Sequence, residues 1–148
     1  MGGPERGFDN GKKVKGRKRH VLVDTLGLLL IVVVTAASLS DQAGARHIFK
    51  RMRGTGKKLR KVWVDGTYRG AEWTSGVQEQ YNRVLESVTR AEGQKGVAVL
   101  PHRWVGERPL AWLNQNRRLS KDYEEFPSTR ETLVYVAMTR LMLKRLAA

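Results

Sequence analysis

The sequence predicts an α/β domain built on a mixed sheet with flanking helices, and three observations carry that reading. Within Leu26–Ala37, the residues Ile31, Val32, Val33, Val34 and Thr35 follow one another, and β-branched side chains in an unbroken apolar run mark a strand buried on both faces. Further on, short apolar runs alternate with stretches whose apolar residues recur at helical spacing. A chain of 148 residues with 41% hydrophobic content also has enough material for one ordinary core, so a single domain is expected.

The elements follow in order. Residues 1–18 are rich in Gly, Lys and Arg without apolar periodicity, so they are expected to form an exposed basic arm or loop ahead of a domain spanning 19–148. Sheet is expected from His20–Val23, which Asp24-Thr25-Leu26-Gly27 separates from Leu28–Thr35. A polar-and-glycine break of that length predicts an antiparallel hairpin. A helix should follow, opened by Ser38-x-x-Asp41 as a capping box, with Ala45, Ile48, Phe49 and Met52 as its buried stripe and Gly54 and Gly56 as its stop. Lys61–Val64 reads as a short strand ending at Asp65-Gly66. A weaker helical pattern runs from Tyr68 to Gln80, Arg83–Val88 reads as another strand, and Thr89–Gly96 as a polar loop. Arg103–Asn116 predicts a helix with Trp104, Ala111 and Trp112 at apolar positions. Pro109 inside it removes one hydrogen bond and should kink it, at a cost of about 3 kcal/mol. The last helix starts after Pro127 with Ser128-x-x-Glu131 as its cap, and Val134, Ala137, Met138, Leu141 and Met142 fall on one buried face.

Charge narrows the partner. Lys and Arg number 28 against 14 Asp and Glu, for a formal net charge of +14 and a pI near 10.7. Such a surface seeks a polyanion, nucleic acid before all others, although ribosomal proteins, basic membrane-surface proteins and subunits of acidic complexes share the composition. The run Lys12, Lys13, Lys15, Arg17, Lys18 and Arg19 reads either as a solvated tail or as an arm that contacts phosphates. The absence of cysteine excludes disulfides, thiolate zinc sites and cysteine nucleophiles, and suits a reducing, cytoplasmic setting. Leu26–Ala37 is shorter than the ~20 residues of a membrane helix, and the basic stretch before it is too long and charged for a signal n-region. No membrane partner is expected.

Carboxylates are the remaining source of chemistry. His20, His47 and His102 have no metal-ligand spacing, and neither a glycine-rich phosphate loop nor a nucleophile elbow is present. Asp65 stands at the end of a short apolar strand where the chain turns outward, the place where ligand groups gather in open α/β sheets; taken alone, a turn or cap role is the more ordinary account of it. Glu107 lies between Arg103 and Arg108, where an intrahelical pair with Arg103 is the ordinary alternative.

Taken together, the segments say more than any one of them. Gly7-Phe8-Asp9-Asn10-Gly11-Lys12-Lys13-Val14-Lys15-Gly16-Arg17-Lys18-Arg19-His20, Leu22-Val23-Asp24-Thr25-Leu26-Gly27, Trp63-Val64-Asp65-Gly66-Thr67-Tyr68, Arg103-Trp104-Val105-Gly106-Glu107-Arg108, Trp112-Leu113-Asn114 and Arg117-Arg118-Leu119-Ser120-Lys121-Asp122-Tyr123-Glu124 occur in this order. Over nearly its whole length the chain thereby resembles the DDE transposases of bacterial insertion sequences. The resemblance implies a ribonuclease H-like mixed sheet with flanking helices. It also implies a site of three carboxylates holding two Mg2+ or Mn2+ ions for cleavage and strand transfer of DNA. Asp65 then matches the second catalytic Asp and Glu107 the catalytic Glu. Arg103 matches the Arg four residues before that Glu, while the Tyr and Lys of the same signature fall on Leu100 and Asn114. Arg108, Arg117 and Arg118 join the basic run as expected DNA contacts, since a guanidinium fork suits phosphate oxygens.

The family's first Asp belongs on a central strand just before the Gly7–His20 block, and no such strand is found there; Asp9 and Asp24 do not match it. The sequence is therefore expected to lack that central strand, and to be inactive alone. A gene remnant, an internal-start product and one half of a two-frame transposase all fit. The partners implied are DNA, further copies of the chain, and an upstream transposase fragment, in a bacterial, nucleoid-associated setting. Two other readings stay open: a non-catalytic basic DNA-binding module or truncated regulator of a full-length transposase, and a ribosome-associated protein that prefers folded RNA.

Overall fold

The computed structural model describes residues 5–53, 59–68, 70–88 and 103–147, and for Thr67, Arg103 and Trp104 the backbone alone. The expected glycine stop at Gly54 and Gly56 and the loop Thr89–Gly96 lie outside the described residues. The first sheet is antiparallel, in the order β1 (Gly7–Asp9), β2 (Val14–Val23), β3 (Leu29–Ala36). The β2–β3 hairpin stands where the sequence placed it. Asp24 builds its turn, Oδ1 accepting from the amides of Leu26 (2.9 Å) and Leu28 (2.8 Å), while Gly27 takes φ +80°. Leu30 has no partner on β2 and is the extra residue of a bulge, which lets the β-branched run behind it keep its alternation.

Strand β2 begins at Val14, well before the expected start at His20, and the short β1 pairs with it. Apolar periodicity misses this part because backbone pairing there is fixed by polar groups. Asp9 Oδ1 accepts from the amides of Gly11 (2.9 Å) and Lys12 (3.0 Å), Lys13 takes the left-handed φ of 52°, and Lys18 Nζ closes on Asp9 Oδ2 at 3.0 Å.

Two hydrophobic clusters lie on opposite faces of the sheet. On one, Leu22 and Val33 meet Ile48, Phe49 and Met52 of α1 (Asp41–Arg51) and its C-cap, with Val62 of β4 (Lys61–Val64), Trp73 and Val77 of α2 (Ala71–Tyr81) and Leu85 of β5 (Val84–Ser87). On the other, Leu29, Val32 and Val34 meet Leu113 of α3 (Arg103–Asn114), Leu119, and Val134 and Met138 of α4 (Pro127–Leu146). Strands β4 and β5 pair in parallel, so the molecule is a mixed α/β layer structure, compatible with a ribonuclease H-like fold. No helix among the described residues is long and apolar enough to cross a membrane.

Several boundaries differ from expectation. Ser40, not Ser38, caps α1, its side chain accepting from Ala43 N, because helical geometry begins only at Asp41. Helix α4 has no side-chain cap: Pro127 occupies its first turn and brings no amide to satisfy, and Glu131 is spent elsewhere. The stretch expected as one helix from Tyr68 splits into a 3-10 turn (Gly66–Tyr68) and α2, with Gly70 at φ 132° between them. Among the described side chains of α3, Val105, Pro109 and Leu113 are buried, while Ala111 is exposed; the expected apolar position of Trp104 lies outside the described side chains.

The two edges of the first sheet are treated differently. On β3, Val34 N donates to Glu131 Oε1 (2.8 Å), Val32 N to Tyr135 Oη (3.2 Å), and Val32 O accepts from Arg51 Nη1 (2.8 Å). Side chains of α1 and α4 thus cap that edge. Over Arg17–Val23, β2 is paired with β3 alone, and β4 is paired with β5 alone; among the described residues no strand joins β2 to β4.

Candidate functional site

Asp65 follows the last residue of β4, and its carbonyl accepts the amide of Tyr68 at 3.2 Å, closing the 3-10 turn that swings the chain away from the sheet. Its side chain is exposed at that strand end. Tyr68 reports on the surroundings: burial first, then the carboxylates of Asp41 and Asp65, push its phenol up to about 12. Asp41, at the first turn of α1, thus shares a neighbourhood with Asp65, and it also holds Lys18 Nζ at 3.4 Å. Sequence spacing gave no hint of Asp41, which reaches this end of the sheet through the packing of α1 on the 3-10 turn.

Glu107 lies exposed on α3, two residues from each of the buried Val105 and Pro109 and so on the opposite face of the helix. Pro109 has no amide for the Val105 carbonyl. That carbonyl and the Pro109 ring instead pack on the hairpin turn at Gly27, where an added Cβ would stand 3.4 Å from Val105 O and 3.7 Å from Pro109 Cδ. The proline inside the helix is therefore a docking point for the hairpin. Arg103 opens α3, and only its backbone is described. Arg108 stacks on Trp112, its guanidinium 5.8 Å from the ring centre, with Arg145 also over that ring at 4.4 Å.

Carboxylate oxygens are hard donors that suit Mg2+ or Mn2+. Among the described residues, however, no group of three or more His, Cys, Asp or Glu side chains is placed to hold a metal ion. Asp65 and Glu107 have the right chemistry, but the described residues do not by themselves fit a complete two-metal centre.

The basic residues divide into two sets. Lys12, Lys13 and Lys15 are exposed on the β1–β2 hairpin. The other half of the run is engaged within the chain. Lys18 bonds Asp9, Asp41 and the Leu39 carbonyl (3.2 Å); burial opposes its charge, but the two carboxylates outweigh that and hold its pKa above the ordinary lysine value. The Arg17 side chain is fully buried and donates to the carbonyls of Glu124 (2.9 Å) and Glu125, with Asp122 Oδ1 at 3.4 Å. Arg19 donates to the Leu119 carbonyl (3.2 Å) and Asn114 Oδ1 (3.5 Å), and burial, then the like charge of Arg130, lowers its pKa.

These arginines grip one segment, 117–125. Arg130, nearly buried in α4, adds bonds to the carbonyls of Leu119 (3.4 Å) and Lys121 and to Asp122 Oδ1 (3.2 Å), and Arg6 donates to the Asp122 carbonyl (3.3 Å). The segment so held presents Arg117, Arg118 and Tyr123 outward. Arg118 Nε donates to Glu124 Oε1 at 2.8 Å; Glu124 is 8% exposed on its side chain and Arg118 71%, so a buried carboxylate orients an exposed guanidinium. Nothing in the sequence distinguished Arg17 and Arg19, which hold the segment, from Arg117 and Arg118, which it presents.

No curated protein and no solved structure matched the chain. A family model described as the transposase DDE domain matches residues 2–142, which takes in both sheets, all of α3, and both Asp65 and Glu107. A match over almost the whole sequence shows the family, and the chain belongs to the transposase DDE domain family.

Proposed function

We propose that this chain is the downstream part of a transposase catalytic core that cleaves DNA at insertion-sequence ends and transfers the strands into target DNA, and that it is inactive alone. In this reading Asp65 and Glu107 supply two carboxylates of a site for Mg2+ or Mn2+, and Arg103 holds a phosphate oxygen beside Glu107. The third carboxylate comes from an Asp-bearing strand seated between β2 and β4. The observation that carries the reading is that, among the described residues, Arg17–Val23 of β2 and all of β4 are each paired on one side only, on sheets that share one hydrophobic cluster and with Asp65 at the end of β4. A strand there would complete the backbone pairing and bring its Asp toward Asp65 in the same step. Residues 1–18 carry the exposed lysines and, through β1 and the start of β2, belong to the same sheet as residues 19–148, the incomplete catalytic unit.

Lys12, Lys13 and Lys15 contact phosphates in this proposal, with Arg108, Arg117 and Arg118 on the opposite end of the chain. Arg17, Lys18 and Arg19 serve the same surface by holding its parts and adding to its field. Replacing the three exposed lysines by Gln should lower the slope of log affinity against log salt for duplex DNA by roughly 0.9 for each phosphate that is no longer neutralised. An unchanged slope would remove the hairpin from the DNA-binding surface.

The decisive experiment is a nicking assay on a duplex carrying an element end, with Mn2+ or Mg2+, comparing the chain alone with a version extended at its N-terminus by an Asp-bearing strand. Nicking by the extended chain only, lost again in Asp65→Asn, is expected. Nicking by the chain alone would refute incompleteness. Tight binding without nicking in either form would favour the second reading, a DNA-binding regulator of a full-length transposase, which the lack of a three-carboxylate group among the described residues also supports.

A further inference from the structure

A cavity of about 390 Å³ opens beside the segment that the arginines hold, and among the described residues its lining is Arg117, Arg118 and Tyr123. From this site we infer that the chain carries a subsite for one unpaired deoxynucleotide, with the base stacked on Tyr123 and the flanking phosphates on Arg117 and Arg118. This rests on the proposal that the chain acts on DNA, and adds which form of DNA it favours.

Three features support the assignment. The first is the lining itself. Tyr123 is 58% exposed, a large aromatic surface left in water next to two guanidinium groups. An aromatic face stacks any base, and the arginines meet the phosphates that accompany it. The second is preorganisation. Leu119, between the arginines and the tyrosine, is 2% exposed, and its carbonyl is held by both Arg19 and Arg130. Ser120 Oγ donates to the Arg117 carbonyl at 2.7 Å, and Glu124 fixes Arg118 by its Nε, which leaves the terminal nitrogens directed to solvent. A ligand therefore finds the Arg118 guanidinium already oriented and the backbone that carries Arg117 and Tyr123 already held, which reduces the binding energy lost to ordering. The third is size and shape. The cavity lies at the lower end of the usual range for small-ligand sites, so its volume suits one nucleotide, and a duplex keeps its bases stacked and paired, out of reach of the Tyr123 ring. The site thus discriminates between unpaired and paired nucleotides.

Fluorescence anisotropy on a blunt hairpin duplex, the same duplex with a short 3′ thymidine tail, and a version whose tail is abasic tests this. The wild-type chain should bind the thymidine tail about tenfold more tightly than the blunt duplex, a difference within the range of one base–aromatic stack. Tyr123→Ala should abolish that preference while leaving blunt-duplex affinity unchanged, Tyr123→Phe should keep it, and the abasic tail should bind like the blunt duplex in all variants. Tyr123 is exposed, so its substitution leaves the core alone. Duplex binding without any tail preference, or a preference that survives Tyr123→Ala, would overturn the subsite and spare the DNA-acting proposal. Binding to neither duplex would overturn both. A Tyr123-dependent preference for a ribonucleotide tail over the DNA tail would overturn the assignment to DNA.

Discussion

Gly44 and Gly76 both sit inside helices, yet replacing each by Ala should have opposite effects. A Cβ on Gly44 would lie 2.1–2.3 Å from three atoms of the His20 ring, whereas one on Gly76 meets nothing within 4 Å. Helix propensity favours Ala over Gly by about 1 kcal/mol at either position. At Gly76 that gain stands, and Gly76→Ala should stabilise by about 0.5–1 kcal/mol. At Gly44 the ring is buried between β2 and α1, so overpacking of about 1–3 kcal/mol outweighs the gain and Gly44→Ala should lower the urea midpoint. The ring itself makes stability depend on pH. Burial lowers the His20 pKa from 6.5; Asp41 opposes this, and Lys18 and His47 add to it. Its Nε2 lies 2.9 Å from Thr35 Oγ1. Because the folded pKa is below the unfolded one, the unfolded state binds the proton first. Stability is fully present above about pH 6.5 and is lost as pH falls through the folded value. Melting temperatures between pH 8 and 5 should fall less for His20→Gln than for the wild type; equal declines would place the titration elsewhere.

Among the elements, β3 shows how an edge strand is protected without a further strand. Glu131 accepts the Val34 amide and pairs through both oxygens with Arg51 (2.7 and 3.2 Å), which in turn bonds the Val32 carbonyl. Arg51 is 47% exposed, so the ion pair itself adds little, and the bonds to backbone decide the energetics. Glu131→Ala should cost about 1–3 kcal/mol by stranding the Val34 amide, and Glu131→Gln, which keeps an acceptor, should cost less. Equal losses in urea titrations would mean that charge, not the backbone bond, matters. The sequence pattern Ser128-x-x-Glu131 pointed to a capping box, and this carboxylate shows why it misled: a cap competes with any tertiary donor, here a strand amide whose partner is set by packing. The same distinction runs through the chain. The β2–β3 hairpin, α1, β4 and α4 were legible because burial writes a periodic apolar pattern. Strand β1 and the start of β2 were not, since Asp9, Lys13 and Lys18 set that turn through polar contacts. Of the candidate residues, the position of Asp65 at a strand end was legible, and the nearness of Asp41 was not, because only the packing of α1 brings it there.

At the scale of the whole molecule, the two sides of the first sheet make a prediction about backbone exposure. The amides of Val32 and Val34 turn outward to α4, so Ile31, Val33 and Thr35 turn inward, facing Leu22, His20 and Lys18 on β2. Antiparallel geometry then directs the amides of Arg19 and Val21 away from β3, toward the edge that no described strand occupies. An unpaired strand edge exchanges its amides more readily and can recruit strands from other chains, whereas the capped β3 edge cannot. Native-state hydrogen exchange should therefore show alternation along β2, with His20 and Leu22 slow and Arg19 and Val21 faster by at least an order of magnitude. The N-terminal extension by an Asp-bearing strand should erase this alternation, because the added strand takes up the outward amides. It should also raise the melting temperature and reduce aggregation at high protein concentration, since each outward amide that exchanges water for a strand partner is worth about 0.5–1.5 kcal/mol. Protection of Arg19 and Val21 equal to that of His20 and Leu22 in the unextended chain would show that the edge is already paired, by another copy or by residues outside those described. In that case the incomplete-core proposal would lose its structural basis, even if the extended chain nicked DNA.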